Sequence, residues 1–143
     1  MALQPDILTI SSQVIHGSVG NRATQTVLAQ FGHRVWSLPT ILLPWHPGHG
    51  KGHRTIIEPE AFAAMVADLM ASPRLNQLHG IMTGYLGAPE HAAIIAELIT
   101  CIKTINPDTL YLCDPVMGDG GRLYVSETIA TVSYTHLTLP TKA

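Results

Sequence analysis

Short apolar runs alternate along this chain with longer stretches in which apolar residues recur every third or fourth position. Asp6 to Ser11 (DILTIS) is a run biased to β-branched residues, the pattern of a buried strand. Arg22 to Phe31 follows a Gly-Asn pair and stops at Gly32, which predicts a helix. Val35 to Leu38 predicts a second strand, and Thr40 to Leu43 is either a third or a continuation past Pro39. Glu58-Pro59-Glu60 opens a helix, because proline suits the first helical position and acids suit the first turn. Phe62, Met65, Val66 and Leu69 give that helix one buried face, and Ser72-Pro73 ends it. Gly80 to Thr83 predicts a strand. Pro89-Glu90 opens another helix, with Ile95, Leu98, Ile99 and Ile102 as its buried stripe and Asn106-Pro107 as its stop. Leu110 to Cys113 is the last strand, and Arg122 to Ala130 is expected to be a loop and the start of a helix.

Strands and helices alternating in this way predict an α/β fold, a three-layer sandwich with a mostly parallel central sheet and helices on both faces. After about Thr131 neither periodicity continues. Residues 132–143 (VSYTHLTLPTKA) therefore read as a tail outside a domain spanning 1–131, artefactual or disordered, with one last β-strand as the alternative.

Composition narrows the function. The 143 residues suit one domain or a piece of a larger one. Hydrophobic residues make up 46% and charged residues only 13%, so most elements are expected to be buried or covered by a partner. The net charge of −2 and the absence of a basic run argue against nucleic acid as a partner. No apolar stretch approaches the roughly 18–20 residues of a membrane span. The first residues, MALQPD, lack the features of a signal peptide. Cys101 and Cys113 lie in apolar contexts and are expected to be buried thiols of a cytoplasmic protein.

Ligands of open α/β sheets bind outside the carboxyl ends of the strands. The unusual polar residues of this chain map to that rim: Ser12 after the first strand, Tyr85 between Gly84 and Gly87, and Asp114 with Asp119 after the last strand. The run from Pro44 to His53 is too rich in proline and glycine for helix or central strand, and is long enough to be a flap. Two carboxylates five residues apart in CDPVMGDGG suit Mg²⁺, which takes oxygen ligands and is commonly held by one or two carboxylates plus phosphates. The same stretch also has the composition of an ordinary surface turn. Such a rim suits a small planar ligand beside a nucleotide phosphate. A different class of function, a non-catalytic metal-binding module, would use His46, His49 and His53.

Four blocks carry a family resemblance: ISSQVIHGSVGN, GHRVWSLPT, MTGYLG and YLCDPVMGDGGRLYV. In order and register, from about Ile7 to Ala130, the sequence resembles the pyridoxal kinases of the ribokinase-like superfamily. The DPVM element is shared with hydroxymethylpyrimidine kinases, the alternative within the enzyme class. The resemblance implies a kinase that uses ATP and Mg²⁺, with a monovalent cation as a further option. The reaction implied is phosphorylation of the 5′-hydroxyl of pyridoxal, pyridoxine or pyridoxamine in vitamin B6 salvage. It implies that Ser12 contacts the pyridine substituents and that Tyr85 lies beside the substrate. Asp114 would serve the nucleotide and cation, and Asp119 would help hold Mg²⁺. The flap would contribute His46 and Pro47, although Pro47 stands where the family's flap carries a threonine. No GTGD-like segment occurs in the sequence, so the catalytic aspartate is expected outside it. The chain then reads as the N-terminal part of such a kinase, incomplete in fold, inactive alone and a poor folder alone, with a homodimer as the complete form.

Overall fold

The computed structural model describes residues 4–138. In chain order the elements are β1 (Gln4–Val14), α1 (Gly20–Gln30), β2 (His33–Leu43), β3 (Thr55–Ile56), α2 (Pro59–Ala71), β4 (Leu78–Thr83), α3 (Glu90–Ile105), β5 (Leu110–Cys113), β6 (Gly118–Asp119), β7 (Arg122–Leu123) and α4 (Glu127–Val132). Five strands form one sheet in the order β3-β2-β1-β4-β5, and β6 pairs with β7 separately. Within the five-stranded sheet β1, β2, β4 and β5 run parallel and β3 is antiparallel to β2. The path from β1 to β2 runs one way across the sheet, whereas β2 to β4 and β4 to β5 run the other way. Right-handed crossovers therefore put α1 on one face and α2 and α3 on the opposite face. This is the α/β architecture expected from the sequence.

The core lies beneath α2 and α3. Leu8 and Ile10 of β1, Leu78 and Ile81 of β4, Phe62 and Val66 of α2, and Ile95, Leu98 and Ile102 of α3 meet there. The predicted helix faces thus do bury, except that Met65 remains exposed. Pro39 does not break β2. The strand runs through it with a register shift between Ser11 and Ser12, where a residue without an N–H can be accommodated. The two-residue strands β3, β6 and β7 carry no periodic signal, and only tertiary pairing reveals them.

Two regions depart from the sequence pattern. Leu110 and Leu112 alternate with half-buried Tyr111 and Cys113, yet they are 77% and 59% exposed. The α1 side of this edge strand is uncovered among the described residues. Ser133–Thr138 continues α4 as a π-helical segment, and Leu137 is 2% exposed within the core cluster. Those residues, read above as a tail, contact α3. The remaining tail residues, Leu139 to Ala143, lie outside the described residues. Cys101 and Cys113 are free thiols, half-buried rather than fully buried. No described helix is long and apolar enough to cross a membrane.

His91 is fully buried beside Phe62, with ring centroids 4.3 Å apart. Its Nδ1 accepts from the Ala88 N–H at 3.3 Å, which leaves Nε2 to donate to the Ile57 carbonyl at 2.8 Å. Burial lowers the pKa of this imidazole; the Ile57 hydrogen bond and the Glu90 charge oppose that shift without cancelling it. The unfolded chain therefore binds a proton at this site more readily than the folded one. Stability from the neutral ring is complete above the ordinary histidine pKa of about 6.5 and is lost as pH falls from there toward the lower folded value. Urea denaturation between pH 7 and 5 should show falling stability on acidification, with a gentler slope in His91→Gln. An unchanged slope in that variant would contradict this account of the ring.

Candidate active site

The C-terminal ends of β1, β2, β4 and β5 open onto one cavity of about 830 Å³. Six residues picked out from the sequence line it together: Ser12, His46, Pro47, Tyr85, Asp114 and Asp119. Each is placed by a local device.

Ser12 lies where β1 approaches the start of α1. A Cβ on Gly20 would sit 2.3 Å from the Ser12 carbonyl oxygen and 2.5 Å from its Oγ, and Gly20 has φ of +58°. Only glycine fits both the contact and the backbone. Asn21, fully buried, donates from Nδ2 to the Ser11 carbonyl at 3.2 Å and the Leu38 carbonyl at 3.0 Å. The first turn of α1 is thereby fastened to both strand ends. Its Oδ1 has no partner among the described residues.

Tyr85 follows β4. Its N–H donates to Ser11 Oγ at 3.0 Å, and its carbonyl accepts from Thr40 Oγ1 at 2.6 Å. Both backbone polar groups are held, and the half-buried ring lines the cavity wall.

Asp114 follows β5. Its N–H donates to the Thr83 carbonyl at 2.8 Å, and its own carbonyl accepts from the Val116 N–H at 2.8 Å. That second bond closes a three-residue turn about Pro115, whose ring suits the negative φ such turns need. Asp119 then pairs with Arg122 across a two-residue hairpin whose glycines, Gly120 and Gly121, have φ of +55° and +77°. Two successive positive φ values mark the tight hairpin turn that favours glycine. The stretch is thus both a turn and a cavity wall. Both carboxylates are exposed, and neither forms an ion pair among the described residues. Tyr124, which also lines the cavity, has its phenol pKa raised by burial and then by Asp119, Tyr85 and Asp114. The two acidic groups, Tyr85 and Tyr124 line the same cavity. An exposed pair of carboxylates with free oxygens fits an oxygen-seeking divalent cation.

The flap crosses the same cavity. His46 Nδ1 accepts from the Gly48 N–H at 3.0 Å and caps a short 3₁₀ turn, Pro47–His49. Trp45, beside His46, does not line this cavity. Its Nε1 donates to the Gly50 carbonyl at 3.1 Å, and it lines a separate hollow of about 230 Å³. The three flap histidines do not assemble: among the described residues, no three His, Cys, Asp or Glu groups are placed to hold a metal. His46 and His49 stand edge-on with centroids 6.2 Å apart, and His46 Nδ1 is already engaged. His16 is exposed and does not line the cavity.

Sequence reasoning missed Arg54 and Asn21. Arg54 lies at the flap's return and is the only permanently cationic side chain among the described cavity residues. A basic residue beside a Gly-rich flap was the available signal. Asn21 was read only as part of a helix start.

No family model matches the sequence. Pyridoxal kinase PdxY of Pseudomonas fluorescens is 36% identical over 118 residues, which cover 82% of this chain and 41% of that protein. The pyridoxine/pyridoxal/pyridoxamine kinase of Bordetella avium is 35% identical over 129 residues, covering 90% of this chain and 44% of that protein. Pyridoxal kinase from Leishmania donovani, solved with ADP and pyridoxine, superposes with a TM-score of 0.85 at 30% identity, covering 92% of this chain and 47% of that one. The chain thus spans less than half the length of the relatives it matches. In sequence and fold the chain is similar to these pyridoxal kinases over a stretch corresponding to somewhat under half of their length.

Proposed function

We propose that this chain forms the vitamin-binding side of a kinase that transfers the γ-phosphoryl group of ATP to the 5′-hydroxyl of pyridoxal, pyridoxine or pyridoxamine. The observation that carries the reading is the gathering of Ser12, Tyr85, the flap and both carboxylates around one cavity. In this reading the Tyr85 ring flanks the flat pyridine and Ser12 hydrogen-bonds its substituents. His46 and Pro47 cover the ligand and exclude water. Asp114 and Asp119 hold Mg²⁺, which neutralises phosphate oxygens, and Asp114 also borders the nucleotide. Phosphoryl transfer depends mainly on such positioning and charge neutralisation. The resemblance assigns the base that takes the hydroxyl proton to an aspartate outside this sequence, so neither carboxylate here is given that role. Residues 132–143 are proposed to lie outside the family domain. The complete protein is proposed to be a cytoplasmic homodimer; the exposure of Val27 on α1 and of Phe31 just after it supports the dimer.

A hydroxymethylpyrimidine kinase is the competing reading, and competition titration separates the two. Pyridoxal should bind the chain, and the hydroxymethylpyrimidine should displace it only at much higher concentration. Equal or tighter pyrimidine binding would overturn the assignment.

A further inference from the structure

Thr40 is fully buried at the register shift of β2. Ser11 pairs with Pro39 and Ser12 with Ile41, so Thr40 is left without a partner on β1. Its backbone and side chain serve other segments. The Thr40 carbonyl accepts from the N–H of Ile57 at 3.1 Å, at the point where the chain returns from the flap. Its Oγ1 donates to the Tyr85 carbonyl at 2.6 Å. The loop after Tyr85 lies against the same atoms: a Cβ on Gly87 would sit 2.4 Å from the Thr40 carbonyl oxygen and 3.3 Å from His91 Cε1. His91 holds Ile57 from the other side through the Ile57 carbonyl at 2.8 Å. The flap's return is thus fixed at its N–H and its C=O, and the Tyr85 loop is fixed to the same bulge.

We infer that Thr40 is a positioning residue, which ties the loop carrying Tyr85 to the return of the flap so that the two cavity walls keep one spacing. The linkage stands on the geometry alone; its consequence for vitamer binding rests on the function proposed above. A residue so placed touches no ligand and acts through the carbonyl of Tyr85. A part-buried carbonyl that loses its donor is left without that bond.

Thr40→Val keeps the shape and removes the hydroxyl, and Thr40→Ser restores it. Amide hydrogen exchange on the whole chain should show Tyr85 to Ala88 exchanging about tenfold faster in Thr40→Val, with α2 and α3 unchanged and Ile57, whose bond to the Thr40 carbonyl is kept, changed much less. Pyridoxal affinity should fall by about tenfold in the same variant, and Thr40→Ser should restore both. Uniformly faster exchange, no change, or a Thr40→Ser variant that behaves like Thr40→Val would overturn the inference. The exchange pattern without any pyridoxal binding, in wild type or variants, would uphold the linkage and remove the vitamer reading. Should Thr40→Val fail to fold, wild type still decides. Pyridoxal should protect Ile57 and Tyr85 together, and protection of one alone would overturn the inference.

Discussion

Phe62→Ala is expected to remove about 3–5 kcal/mol of folding free energy, the range for deleting a buried aromatic ring. Phe62 is wholly inaccessible to solvent and belongs to the cluster that joins α2 to α3 and the sheet. It also packs against His91, so its loss opens a cavity beside a buried polar ring. Small domains have only about 5–15 kcal/mol in total. This chain leaves Leu110 and Leu112 of β5 exposed and gains nothing from them. The variant should therefore be largely unfolded under conditions where wild type is folded, whereas Phe62→Leu should lose much less. Urea titration followed by circular dichroism gives the difference. A loss below about 1 kcal/mol would mean that the interface between α2 and α3 is not the core of the fold.

Removing the carboxylates should cost the chain its affinity for Mg²⁺·ADP. Asp114 and Asp119 both line the cavity, without an ion pair to a described residue, and a divalent cation held by two carboxylates loses half of that anionic charge with each substitution. Asp119→Asn should weaken Mg²⁺·ADP by about tenfold, and the double variant with Asp114→Asn by about a hundredfold, or ~2.7 kcal/mol. Binding of ADP without metal should change little. Both positions are exposed turn residues, so the melting temperature should hold in Asp119→Asn. Equal losses with and without Mg²⁺ would assign these residues to the nucleotide or to the turn rather than to the cation.

Much of the layout was legible because its signals are local. Pro59 and Asn106 mark where helices begin and stop, and Leu110 to Cys113 matches β5 to the residue. Ser12, Tyr85 and Asp114 were legible as a group because successive parallel strands end on the same rim. What escaped depends on contacts distant in sequence. Pro39 left open whether the strand continued past it, and a register shift against β1 is what lets it continue. Thr40 looked like an ordinary strand residue, but its partners lie 17 and 45 residues away, at Ile57 and Tyr85. Arg54 bears on the cavity only because β3 folds back on β2. Ser133 to Thr138 shows no periodicity in sequence, and its burial at Leu137 comes from packing near α3. Leu110 and Leu112 show the opposite mismatch. Their apolar pattern suits a strand covered on both faces, and this chain covers only one of them.

The central claim is that the cavity between Tyr85 and the flap is a vitamer site. Calorimetric titration with pyridoxal, with the hydroxymethylpyrimidine as competitor, tests it most directly when wild type is compared with Tyr85→Ala. The account predicts one saturable pyridoxal site in wild type, poor displacement by the pyrimidine, and about tenfold weaker pyridoxal binding without the tyrosine ring. Pyridoxal binding that is unaffected by Tyr85→Ala, or no saturable binding to the folded wild-type chain, would contradict it.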